Sequence, residues 1–144
     1  MESYSGRRLN GVIKGNMRTE PPNLLIVDDS TAIRKILLRV LNQTGLELGQ
    51  VLEAGDGKEA LRLMEGRDIS LVLSDINMPN MDGLELLRAL RGSPQWHDLP
   101  VVMITTEGGQ ARVEEAIELG ATSYVRKPFS ADLLRDKLAA LLSK

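Results

Sequence analysis

The segment 24–29 has the sequence Leu24-Leu25-Ile26-Val27-Asp28-Asp29, a short apolar run closed by two carboxylates. Continuous apolarity, without alternation of apolar and polar residues, is typical of a strand buried on both faces of a parallel sheet. Ser30 or Thr31 can then cap a helix, because apolar residues recur at intervals of three and four until Gly45. The segment therefore predicts a buried strand followed directly by a helix.

The same strand and helix pattern recurs along the rest of the chain. Further strands are predicted over 51–54, 69–75, 100–105 and 122–126, and further helices over about 58–65, 84–91, 110–119 and 131–142. Strict alternation predicts right-handed crossovers and a parallel sheet with helices on both faces. Five units are too few for an eight-stranded barrel. We therefore predict an α/β fold, with a doubly wound five-stranded parallel sheet in the flavodoxin-like order 2-1-3-4-5 and five alternating helices.

The composition excludes several classes of protein. The 144 residues are 42% hydrophobic and 26% charged, which is typical of one globular domain. Because the chain has no cysteine, a disulfide scaffold, a thiolate metal site and a cysteine nucleophile are all excluded. The net charge of −2 gives no reason to expect binding to nucleic acid or to an anionic membrane. No apolar run approaches the roughly 20 residues that a membrane span needs.

The first residues differ from the rest of the chain. Residues 1–22 are rich in glycine and proline, slightly basic and without hydrophobic periodicity. We expect a flexible N-terminal extension over 1–22 and a single domain over 23–144. No apolar stretch of signal-peptide length follows the early arginines, so we expect a cytoplasmic protein.

Polar side chains follow four of the predicted strands where each strand ends. Asp28 and Asp29 follow the first strand, Asp75 ends the third, Thr105 ends the fourth and Lys127 follows the fifth. In open α/β sheets, ligands bind outside the carboxyl ends of the strands, at the point where the strand order reverses. An aspartate before a helix is often only a cap, and a lysine in a loop only a solvated charge. Because polar residues from four strands are predicted at the same edge of the sheet, a functional site is favoured over these separate explanations.

The residue types at this edge suggest phosphoryl chemistry. Three neighbouring carboxylates raise one another's pKa values unless a cation lies between them, and an all-oxygen site of this kind suits Mg²⁺ as cofactor. If Asp75 accepted a phosphoryl group, it would lose its own charge and gain about −2. Lys127 and the Thr105 hydroxyl could bind the new oxygens. The sequence thus predicts a phosphate acceptor in which Thr105 has to move.

Four segments of the chain resemble the receiver domain of bacterial two-component response regulators, in the single-domain layout of the chemotaxis type. They occur in the family's order, and the likeness covers residues 23–144: Leu24–Ser30, Asp75–Gly83, Ile104–Thr105 and Tyr124–Phe129. The resemblance implies a phosphorylation-activated switch. Asp75 would receive its phosphoryl group from a phosphohistidine of a sensor histidine kinase or a histidine phosphotransfer protein.

The resemblance also implies roles for the remaining site residues. Asp29 and Asp75 would bind Mg²⁺ by their side chains, Asn77 by its backbone carbonyl and Asp28 mostly through water. Thr105 and Lys127 would bind the phosphoryl oxygens. Tyr124 would be the aromatic switch residue, and the surface of helix four, strand five and helix five would bind a downstream effector. The Lys127-Pro128 peptide bond would often be cis.

Residues next to the acceptor give opposing expectations for the phosphoryl lifetime. Thr106 stands where the family usually has alanine or glycine, and its larger side chain is expected to slow the entry of donors and water. Asn77 and Glu107 occupy positions that tune the lifetime in the family, and they suggest fast resetting. The sequence leaves open which effect is larger.

Parts of the sequence also suggest three other functions. The segment Gly55–Ala60 fits the dinucleotide fingerprint, but it follows the second strand at the sheet edge and lacks a second nucleotide-binding half. A phosphatase-type hydrolase with Asp75 as nucleophile would need a second acid two residues on, where Asn77 cannot titrate. A receiver-like module that works without phosphorylation usually lacks an acidic residue or the lysine, and both are present. We therefore expect a switch and not a conventional enzyme.

Overall fold

The computed structural model describes residues 20–106 and 110–143. The strands are β1 (Leu24–Val27), β2 (Val51–Ala54), β3 (Leu71–Asp75), β4 (Val101–Thr105) and β5 (Ser123–Arg126). The helices are α1 (Thr31–Gln43), α2 (Gly57–Met64), α3 (Gly83–Arg91), α4 (Gln110–Glu118) and α5 (Ala131–Leu142). All strand pairs are parallel and the order is β2-β1-β3-β4-β5. The predicted fold class and strand order are confirmed.

The central strand β1 contributes to two separate cores. Leu25 and Val27 lie in the core on one face of the sheet, with residues of α2, α3 and α4. Leu24 and Ile26 lie in the core on the other face, with residues of α1 and α5. All four side chains are inaccessible to solvent, and burying each one stabilises the fold by about 2 kcal/mol. The continuous apolar run therefore reflects burial of β1 on both faces of the sheet, as the sequence predicts.

Helix and strand ends differ slightly from the predicted positions. Ser30 caps α1, since its side chain accepts a hydrogen bond from the Ile33 amide at 3.2 Å. The strand β3 begins at Leu71 instead of at 69, because its partner β1 begins only at Leu24. The aspartates before α2 and α3 cap them, so each helix begins one residue earlier than predicted.

The Lys127-Pro128 peptide bond, which lies between β5 and α5, is cis. In the part of the chain that the structure describes, no helix combines the length and apolarity needed to cross a membrane. Most of the predicted extension 1–22 lies outside the described residues, as does Glu107.

Candidate functional site

The strand order brings three aspartates together at the carboxyl edge of the sheet. Val27 of β1 pairs with Ser74 of β3, so the residues that follow them, Asp28 and Asp75, lie at the same level on neighbouring strands. Asp28, Asp29 and Asp75 each offer one carboxylate oxygen, and these oxygens lie within 4.8 Å of one another. The cluster lies where β1 meets β3, which is where open α/β sheets bind ligands.

The carboxylates differ in exposure and are oriented by backbone amides. Asp28 is buried at 2% exposure, Asp75 is half-buried and Asp29 is exposed. The Ser30 amide donates to Asp28 Oδ1 at 2.9 Å, and the Ile76 amide donates to Asp75 Oδ1 at 2.8 Å. The site is therefore a cup with an open side at Asp29.

The surroundings of Asp75 raise the pKa of its carboxyl group. Burial raises the pKa of Asp75, and the charges of Asp28 and Asp29 raise it further, although Lys127 opposes them. The Lys127 Nζ lies 3.5 Å from Asp28 Oδ2, so this cation only partly offsets the carboxylates. A second cation would relieve the remaining repulsion.

The donor set fits Mg²⁺. All of the candidate ligand atoms are carboxylate oxygens, and Mg²⁺ binds few protein carboxylates while it keeps several waters. The exposure of Asp29 leaves room for those waters. Asn77, which the resemblance implies as a backbone ligand, lies exposed in the loop after β3.

Lys127 and Thr105 lie on neighbouring strand ends. The Lys127 amide donates to the Thr105 carbonyl at 2.7 Å, which connects the end of β4 to the residue after β5. The Thr105 hydroxyl is buried and donates to the Thr106 carbonyl at 3.2 Å. Because this hydroxyl already donates to the main chain, it would have to rotate before it could bind a phosphoryl oxygen.

The predicted switch and tuning residues lie around this centre. Tyr124 is half-buried on β5, pairs with Met103 of β4 and packs against the core beneath α3 and α4. The Lys137 Nζ lies 5.8 Å from the centre of its ring. Thr106 is exposed at the end of β4. Glu107 lies outside the described residues, so its predicted tuning role stays a prediction.

Sequence analysis missed two residues that touch the site. A Cβ atom added at Gly83 would overlap the Asp75 carbonyl oxygen, so the first turn of α3 packs directly on the backbone of Asp75. Arg34 of α1 donates to the Asp28 carbonyl. The sequence placed Gly83 in the loop before the third helix and gave Arg34 no role, because helical periodicity does not reveal which neighbours a residue contacts.

Comparison with known proteins agrees with this geometry. The model of the response regulator receiver domain matches residues 24–139. The chain belongs to this family. A chemotaxis protein CheY homologue from Campylobacter jejuni is 41% identical over 120 residues, which are 83% of this chain and 91% of the homologue. Chemotaxis protein CheY1 from Helicobacter pylori is 40% identical over 83% of this chain and 95% of its own length.

Comparison with solved structures gives the same family. The chemotaxis response regulator CheY4 of Vibrio cholerae superposes with a TM-score of 0.73 at 34% identity, over 84% of this chain and 98% of that protein. The chain is thus a CheY-like receiver domain, a phosphorylation-dependent switch of two-component signalling. Receivers of this type interact with histidine kinases and downstream effectors, and they typically bind Mg²⁺ through acidic residues. The hydrolase and the phosphorylation-independent module are not favoured.

Proposed function

We propose that Asp75 is the phosphoacceptor of this receiver domain. The observation that carries the proposal is the convergence of the Asp28, Asp29 and Asp75 oxygens within 4.8 Å at the carboxyl ends of β1 and β3. Asp75 is the half-buried member of this group, between buried Asp28 and exposed Asp29. Its carboxylate is thus reachable by a donor and also shielded from bulk water.

Phosphorylation transfers one phosphoryl group to Asp75. A carboxylate oxygen of Asp75 attacks the phosphorus of a phosphohistidine on a sensor histidine kinase or histidine phosphotransfer protein. A P–O bond forms, the P–N bond breaks and the leaving imidazole nitrogen takes up a proton. Asp28, Asp29, Asp75 and the Asn77 carbonyl would hold Mg²⁺, with Asp28 contributing mostly through water. When bound, the ion supplies positive charge that offsets the phosphoryl oxygens and the carboxylates.

Thr105 and Lys127 respond to the new charge. The Lys127 ammonium pairs with one phosphoryl oxygen, and the Thr105 hydroxyl turns from the Thr106 carbonyl to another. Tyr124 on the neighbouring strand then packs further inward, which changes the surface of α4, β5 and α5. We propose this surface as the effector site, and Ile117 of α4, 47% exposed, offers it an apolar contact.

The switch resets when water attacks the phosphorus and the bond to Asp75 breaks. Asn77, Thr106 and Glu107 tune the rate of this step. The protein promotes its own phosphorylation and dephosphorylation but is not a conventional enzyme. The family match over 24–139 lies within the domain proposed for 23–144, with an extension over 1–22, and we assign the protein to the cytoplasm.

Acetyl phosphate with Mg²⁺ tests the proposal. Intact-mass spectrometry of the wild type is expected to show a gain of one phosphoryl group, and peptide mapping is expected to locate it on Asp75. The Asp75→Asn variant and wild type in EDTA are the matched controls, and neither should gain mass. Labelling of Asp75→Asn to the wild-type extent would refute the assignment, and continuous turnover of acetyl phosphate without a labelled protein would favour a hydrolase.

A further inference from the structure

Arg34 of α1 has three partners around the β1–α1 turn. Its Nη1 donates to the Asp28 carbonyl at 2.5 Å, its Nε pairs with Glu53 Oε1 on β2 at 2.9 Å and its Nη2 donates to Thr31 Oγ1 at 3.2 Å. The side chain is only 16% exposed. The planar guanidinium presents separate nitrogens to these partners in one fixed fork, a geometry that the compact ammonium group of lysine does not reproduce.

The carbonyl that Arg34 binds belongs to the peptide unit between Asp28 and Asp29. A peptide unit is planar, so a hydrogen bond to its oxygen restricts the positions of the Cα atoms of both Asp28 and Asp29. The other polar groups of Asp28 are also engaged. Its amide donates to the Ala54 carbonyl at 3.0 Å, and its carboxylate oxygens bind the Ser30 amide and Lys127. Arg34, on α1, adds the hydrogen bond to the Asp28 carbonyl.

Glu53 holds the guanidinium in place. Burial raises the pKa of Glu53, but its contacts with Lys35 and Arg34 lower the pKa by more, so Glu53 is ionised at neutral pH. Lys35 binds the other Glu53 oxygen at 3.0 Å and has no contact with Asp28 among the described residues. Lys35 therefore offers a matched control: a neighbouring cation of the same helix with the same acidic partner.

We propose that Arg34 is a positioning residue for the metal site, because it holds the peptide unit that joins Asp28 and Asp29, two residues that would bind Mg²⁺. This inference rests on the proposed function. Two effects of Arg34 on Mg²⁺ affinity have opposite signs. Its positive charge repels a nearby cation and weakens binding, whereas its hold on the carboxylates strengthens binding. The sign of the change on removing Arg34 therefore reveals which effect is larger.

Isothermal titration calorimetry with Mg²⁺ at neutral pH measures whether replacing Arg34 lowers or raises the affinity for the ion. Arg34→Ala and Arg34→Lys are each expected to bind Mg²⁺ about tenfold more weakly than wild type, as is typical when a partner behind a metal ligand is lost. The Arg34→Lys variant keeps the charge, so its weaker binding cannot arise from electrostatics. Lys35→Ala is expected to bind Mg²⁺ as well as wild type or better. Amide NMR spectra check that each variant is folded and follow the Asp29 and Ser30 signals.

Each outcome decides the proposal. Unchanged or tighter binding by Arg34→Ala would overturn it, as would an equal loss in Lys35→Ala. If Arg34→Ala does not fold, Arg34→Lys alone decides, and wild-type affinity there overturns the proposal. An Asp29→Asn variant separates this test from that of the proposed function. If wild type and Asp29→Asn bind Mg²⁺ equally, the metal site itself is wrong, and the role of Arg34 is wrong with it.

Discussion

At the scale of single residues, Asp75 reduces the stability of the metal-free fold. Its pKa is raised by burial and by the neighbouring aspartates, so the folded state loses stability as the pH rises from the unfolded pKa through the folded pKa. In EDTA at neutral pH, Asp75→Asn is expected to melt a few degrees above wild type, because the amide removes a charge that is buried beside Asp28. Thermal unfolding followed by circular dichroism measures the difference.

The pH dependence is the control for this prediction. At about pH 3, below the ordinary pKa of an aspartate, the carboxyl is protonated in both states and the difference should vanish. Added Mg²⁺ should raise the melting temperature of wild type and leave that of Asp75→Asn nearly unchanged. A variant less stable than wild type in EDTA at neutral pH would contradict the charge argument.

A second prediction at the residue scale concerns access to the acceptor, which we expect the Thr106 side chain to restrict. The side chain is exposed at the end of β4, and its carbonyl binds the Thr105 hydroxyl. Thr106→Ala is expected to shorten the lifetime of phosphorylated Asp75 by about threefold, which corresponds to a barrier lower by roughly 0.7 kcal/mol. The measurement is the decay of labelled protein after the donor is removed. An unchanged or slower decay would count against steric control by Thr106.

At the scale of elements, the first turn of α3 depends on the glycine at 83. A methyl group there would overlap the Asp75 carbonyl oxygen and lie 2.9 Å from the Ile76 Cα. Gly83→Ala is therefore expected to cost about 2 kcal/mol or more of unfolding free energy, because backbone atoms must shift. The same shift should weaken Mg²⁺ binding. Urea unfolding monitored by circular dichroism measures the loss.

Gly92 provides the matched control for this prediction at the other end of α3. It has a φ of −83°, and an added Cβ would lie 3.4 Å from its nearest neighbour, the Arg88 carbonyl. Gly92→Ala should change stability by less than about 0.5 kcal/mol. Equal losses in the two variants would mean that contact with Asp75 is not the cause.

Sequence patterns predicted the elements better than the contacts between them. The burial of β1 and the cap of α1 are both indicated by residues close together in the sequence, so an apolar run and a serine were enough to predict them. The predicted strand order was enough to place Asp28, Asp75 and Lys127 at the same edge of the sheet. The contacts of Gly83 and Arg34 could not be predicted in this way, because they depend on how closely α3 and α1 approach the strand ends.

At the scale of the whole molecule, the switch is a shift between two populations. Phosphorylation favours the active form only through contacts that differ between the forms, and we assign these contacts to Thr105 and Lys127. Thr105→Ala should still gain a phosphoryl group from acetyl phosphate, yet lose about tenfold or more of the phosphorylation-dependent gain in effector affinity. Titration of the phosphorylated variant with its effector checks this. Wild-type affinity in that complex would refute the coupling.

The pairing of Asp28 with Lys127 joins residues that are 99 positions apart. Because Asp28 follows β1 and Lys127 follows β5, this contact forms only when the first and the last strand along the chain are both in place in the sheet. We therefore expect that a fragment ending before β5 gains no phosphoryl group from acetyl phosphate, since it lacks the lysine that offsets the charge of the acceptor site.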